Sequence, residues 1–174
     1  MRYAFAETAE TMAAFVDAWH AGRVTRAEWT HGAHVAVCAW YAFDRDPDAT
    51  FAIVKAGILE FARAVGIVHT PTSGYHETLT RFWTLVIAAH VSGSGAASRW
   101  DAVRAALDRF GEDRDLPRRC YSFDVVGDVR ARGEWVPPDR AVAAWAVTIA
   151  TAAATRRSRV SGFFAPSIAS TCSR

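Results

Sequence analysis

Four of the six histidines fall in two short stretches: Trp29-Thr30-His31-Gly32-Ala33-His34, and His69 through Thr78, which reads H-T-P-T-S-G-Y-H-E-T. If the first stretch opens a helix, His31 and His34 are i and i+3 and project from one face. Tyr75, His76 and Glu77 are expected in the first turn of another helix. Two parallel neighbouring helices would bring both starts to one end of a bundle, gathering His31, His34 and His76 with Glu77 as a fourth group. Three imidazoles and a carboxylate suit a divalent transition metal such as Fe, Zn, Mn or Cu. With an open coordination position, such a site activates water or dioxygen.

The same groups support metal-free acid–base chemistry, because histidine titrates near neutrality. In either case Glu77, His76, Tyr75 and Arg81 are the candidate catalytic groups, with Tyr75 and Arg81 orienting an anionic small molecule. Trp29, His69, Thr72, Ser73 and Arg132 are candidate substrate contacts: Thr72 and Ser73 because the loop Thr70-Pro71-Thr72-Ser73-Gly74 precedes a helix start, where free backbone donors hold anions. No Walker lysine follows, so a nucleotide loop is not expected, and the H-E-x-x-H spacing of zinc proteases is absent. A structural use stands beside each of these. Glu77 lies four residues before Arg81, a helix-stabilising spacing, and suits a helix N-terminus. Cys38, four residues after His34, is read as a small buried hydrophobe. His20 and His90 are read as structural.

The elements that must position these groups are helical almost throughout. One helix is expected from about Thr8 to His20, with Met12, Phe15 and Trp19 at helical spacing and Gly22 as its stop. Thr25 and Glu28 have the form of a capping box, and Thr30 offers a second start for a helix reaching about Phe43. Asp46-Pro47 opens a third, to about Val65, burying Phe51, Val54, Ile58 and Phe61. The fourth is expected from Tyr75 to about His90, and the fifth, capped by Ser98, from Arg99 to Phe110. From Glu112 to Asp139 no period is sustained, apart from a weak alternation at Tyr121–Val126. The fold class is therefore all-α: a single-domain bundle of about five helices over residues 1–140, with an irregular C-terminal wrap. Residues 141–174 read as a low-complexity tail with a helix near Ala141–Thr155.

The sequence has 174 residues, of which 51% are hydrophobic, enough for one core. Twenty Lys+Arg against 18 Asp+Glu leave a net charge of +2, which argues against a nucleic-acid binder. Lys55 is the only lysine, read as the coding bias of a GC-rich genome. Cys38, Cys120 and Cys172 are too scattered for a disulfide framework. The first residues lack the apolar run of a secretory signal, and no membrane span is expected, so the expected compartment is the cytoplasm. Seven tryptophans and the apolar second helix are also compatible with docking a second copy or another chain, and hence with a non-catalytic partner protein.

The blocks W-T-H-G-A-H-V (29–35) and T-P-T-S-G-Y-H-E-T-L-T-R-F-W (70–83) resemble a family of short bacterial proteins. Its members carry T-H-x-A-H-[LV], then Y-H-E-T-[IL]-T, then an ending of the form Y-S…R-x-G-W-V-x-P-D. Here that ending is similar to Tyr121-Ser122 and Arg132-Gly133-Glu134-Trp135-Val136-Pro137-Pro138-Asp139. The likeness covers roughly residues 10–139. It implies no activity; it marks His31, His34, Tyr75, His76, Glu77 and Arg81 as motif positions. Cys120, beside Tyr121, departs from the pattern.

Overall fold

The structure, a computed structural model, describes residues 3–140. The expected tail, with its helix near Ala141–Thr155, lies outside the described residues. Five long helices form: α1 (Ala9–His20), α2 (His31–Ala42), α3 (Pro47–Ala64), α4 (Glu77–Gly93) and α5 (Arg99–Phe110). Two one-turn helices, α6 (Leu116–Cys120) and α7 (Val129–Gly133), punctuate the wrap, and a 3₁₀ turn at Ala4–Ala6 precedes α1. No strand forms among the described residues, and Tyr121–Val126 is a turn segment. No helix among them is long and apolar enough to cross a membrane.

Local chemistry sets the helix starts. The side chains of Thr8, Thr30, Asp46 and Ser98 each accept a backbone N–H in the first turn of their helix, satisfying donors that would otherwise be unpaired. At α2 the second of the two expected starts is the one used, and at α4 the start differs from expectation. Thr25 and Glu28 do form their reciprocal bonds, but these close a separate turn, and the cap of α2 is Thr30. In α4 the first helical residue is Glu77, because the His76 ring itself is the cap: its Nδ1 accepts from the Leu79 N–H at 3.3 Å.

Helix α2 occupies the middle, with nine of its twelve residues buried, and packs against α5, α4 and α3. It runs antiparallel to α5, since His31 meets Phe110 at one end and Arg99 lies over Trp40 at the other. Helices α3 and α4 are also antiparallel, joined by Asp48–Arg81 and Lys55–Glu77. The expected core residues Met12, Phe15, Trp19, Val54, Ile58 and Phe61 are buried, and so are Phe82, Val86 and Ile87 of α4, whereas Phe51, Leu79 and Trp83 are only partly so. At Gly57 the Trp19 ring lies where a side chain would stand, only 2.0 Å from an added Cβ, so α1 and α3 approach closely there.

Candidate functional site

The two histidine blocks do not meet. His31 is partly buried at the start of α2; its Nε2 lies 3.1 Å from the Phe110 carbonyl and its ring stands edge-on to Trp83 at 4.8 Å. Trp83 is seven residues beyond His76, roughly 10 Å along the helix at 1.5 Å per residue. His76 is buried against the wrap instead, with Nε2 at 2.9 Å from the Val125 carbonyl and Nδ1 spent on the Leu79 N–H. Both of its nitrogens are engaged, so it offers a metal no lone pair. Among the described residues, no group of three or more His, Cys, Asp or Glu side chains is arranged to hold a metal ion. The expected ligand set of His31, His34 and His76 therefore does not fit a shared metal, because α2 enters the bundle beside the middle of α4.

His34 lies against the Trp29 ring at 4.2 Å, and Trp29 is in turn stacked on Trp19 and packed on Phe61. Burial, with a smaller contribution from nearby His31, pushes its pKa down to about 3, so it is a neutral ring at physiological pH. Trp29 belongs to this aromatic packing. His69 folds its own loop by accepting the Tyr75 N–H at Nδ1, at 3.0 Å. Thr72 and Ser73 lie exposed in the tight turn that Thr70 and Ser73 close. The expected anion cradle before α4 is not formed: the His76 ring takes the Leu79 donor, and Arg81 is turned toward Asp48 at 2.7 Å.

Arg132 is a clamp for the wrap. It donates to the carbonyls of Gly74 and Val126 at 3.2 and 3.1 Å, bridging the segment before α4 to the C-terminal turns. Thr78 does the same from the helix side, donating to the Glu134 carbonyl at 2.6 Å and accepting the Val136 N–H at 2.9 Å. Tyr121 closes the arrangement with a bond to the Val136 carbonyl at 2.8 Å. Much of the second motif block and of the Arg132–Val136 ending thus serves to bind wrap to bundle.

Two of the expected catalytic groups do come together, on the α3–α4 face. Glu77 accepts from the Tyr75 hydroxyl and from Lys55 Nζ, both at 2.8 Å. Lys55 lies over the Tyr75 and Phe51 rings, and Arg81 covers Phe51 at 4.8 Å. Burial, reinforced by the Glu77 carboxylate, holds the Tyr75 phenol above its usual range and therefore protonated. Lys55, the single lysine, belongs to neither histidine block and so carries no motif signal. Its partner Glu77, 22 residues further along the chain, is invisible to a short-range scan.

The described cavity that contains a motif histidine lies at the start of α2. It is a groove of about 530 Å³, lined among others by Tyr3, Phe5, Phe15, Glu28, His31 and Arg114. That volume falls within the range of small-molecule sites. Phe5 stacks on Phe15 at 4.5 Å, forming an apolar wall. Tyr3 packs over Gly32 and Gly111, where an added Cβ would come within 2.4 and 2.6 Å of its ring and hydroxyl, and it donates to Glu112 Oε1 at 2.5 Å. His31 is held below the ordinary histidine pKa, chiefly by burial and in smaller part by Arg114; the Phe110 carbonyl opposes the shift. Sequence reasoning missed Arg114 and Glu112, which sit in the stretch after Phe110 where no period is sustained, and Tyr3, which precedes any helical period.

No protein-family model, curated protein or solved structure matches this chain.

Proposed function

We propose that this protein binds a small molecule bearing an acid group in the groove at the start of α2, and that His31 acts on it as a metal-free acid–base catalyst. The observation that carries this reading is the placement of His31. A carbonyl only accepts, so the contact with Phe110 requires Nε2 to carry the proton. The lone pair then resides on Nδ1, which makes no hydrogen bond among the described residues. Burial keeps the ring neutral at pH 7, the form that accepts a proton. Arg114 lines the same groove and forms no ion pair among the described residues, leaving its guanidinium for a carboxylate or phosphate. In this mechanism Nδ1 removes a proton from the bound molecule and the resulting imidazolium, steadied by the Phe110 carbonyl, returns it.

Deuterium incorporation from heavy water into a panel of small carboxylic and phosphoric acids tests the proposal. Wild-type protein should label at least one acid, His31→Gln should abolish labelling, and a chelator should leave it unchanged. Labelling that persists in His31→Gln, or that disappears with chelator, would overturn the mechanism.

A further inference from the structure

The groove's charges say more about its occupant than that it carries an acid. With His31 neutral, the groove sets the guanidinium of Arg114 and the carboxylate of Glu28 in one lining. A ligand with only negative charge would gain Arg114 and face the Glu28 carboxylate. Glu28 is fixed in place: its Oε2 accepts from the Thr25 N–H at 2.8 Å and the Thr25 hydroxyl at 2.7 Å. Those bonds also hold its carboxyl below the usual pKa, so it stays ionised. Its Oε1 has no partner among the described residues and remains able to accept. The same groove is lined by the Phe5–Phe15 pair, with Phe5 only partly buried, a surface suited to an aromatic ring.

We propose that the groove takes a zwitterionic aromatic amino acid, its ring against Phe5 and Phe15, its carboxylate on Arg114 and its ammonium on Glu28. This rests on the groove being the functional site and deepens that reading by naming the ligand class. A carboxylate recognised by a guanidinium and an ammonium recognised by a carboxylate are both charge-assisted contacts, and both depend on salt because the groove is open to solvent. Neither contact alone fits the observed balance of charge. Together they neutralise Arg114 and Glu28 and leave Nδ1 of His31 uncharged.

The test uses the full chain and four probes, with the histidine ring resonances followed by NMR titration. L-phenylalanine carries all three features; 3-phenylpropionate lacks the ammonium, 2-phenylethylamine lacks the carboxylate, and L-alanine lacks the ring. L-phenylalanine should bind about tenfold or more tighter than each of the others. Arg114→Gln should weaken L-phenylalanine and 3-phenylpropionate but not 2-phenylethylamine, and Glu28→Gln should weaken L-phenylalanine and 2-phenylethylamine but not 3-phenylpropionate. Both side chains are exposed, so both variants keep the fold. If 3-phenylpropionate binds as tightly as L-phenylalanine and depends on Arg114, the zwitterion is overturned while the acid-binding site stands. If no probe moves the His31 ring at about 10 mM, the ligand class is overturned. The acid–base reading then falls as well only if the deuterium-labelling panel is also silent.

Discussion

At His31 the two ring nitrogens have different surroundings, and the proposed acid–base role rests on that asymmetry. Nε2 is committed to the Phe110 carbonyl, so the tautomer is fixed, whereas His76 has both nitrogens committed to backbone groups. The residue types in the two blocks were legible in the sequence; their partners were not, because a carbonyl 79 residues away leaves no local trace. The pKa directions yield a stability prediction. His31, His34 and His76 all have folded pKa values below the unfolded value, with His34 at about 3. Below about pH 6.5 the unfolded chain takes up protons that the native rings refuse, so stability is full above that pH and falls as the solution is acidified. Each neutral ring should contribute a slope of up to ~1.4 kcal/mol per pH unit, for His34 continuing down to about pH 3. Urea unfolding across pH 7 to 4 checks this: His34→Gln should flatten the slope by about one proton, and an unchanged slope would show that His34 is not the neutral ring described.

Between helices the decisive contacts are few and specific. Thr78 ties α4 to the wrap with one bond given and one received. Thr78→Val removes both and leaves the Val136 N–H unpaired, an expected cost of about 1–3 kcal/mol by urea unfolding. Lys55 and Glu77 join α3 to α4 with the lysine side chain 39% exposed, so Lys55→Met should cost about 1 kcal/mol or less. A larger loss, or a loss of labelling activity, would mark the Lys55–Tyr75–Glu77 cluster as more than a helix tie. At Gly57, an alanine would force the Trp19 ring aside and should destabilise by about 1–3 kcal/mol. Helix α5 could be read from its cap and its closing glycine, and the boundaries of α1 and α3 from similar signals. The start of α4 lies two residues beyond the expected Tyr75 because a histidine cap is not part of the usual set of capping side chains.

Across the whole molecule, the all-α class and the central place of α2 follow from the apolar content of that helix, which polar periodicity elsewhere does not share. What periodicity cannot convey is how far along its neighbour a helix docks. Here His31 meets Trp83, and the motif residues are divided between two places in the bundle: a polar tie on α3–α4, and a groove where the N-terminal segment, α1 and the chain after α5 converge on α2. The irregular wrap was recognised as irregular, yet its role as the anchor of α4 lies in tertiary bonds to carbonyls that sequence patterns do not encode.

The most direct test follows the ¹⁵N resonances of all the histidine rings while a groove-binding acid such as L-phenylalanine is added to the full chain. The expected result is that His31 shifts, with Nδ1 moving more than Nε2, while the His76 ring is unaffected. Shifts at His31 and His76 together, or at His76 alone, would contradict the separation of the two blocks and the groove as the functional site.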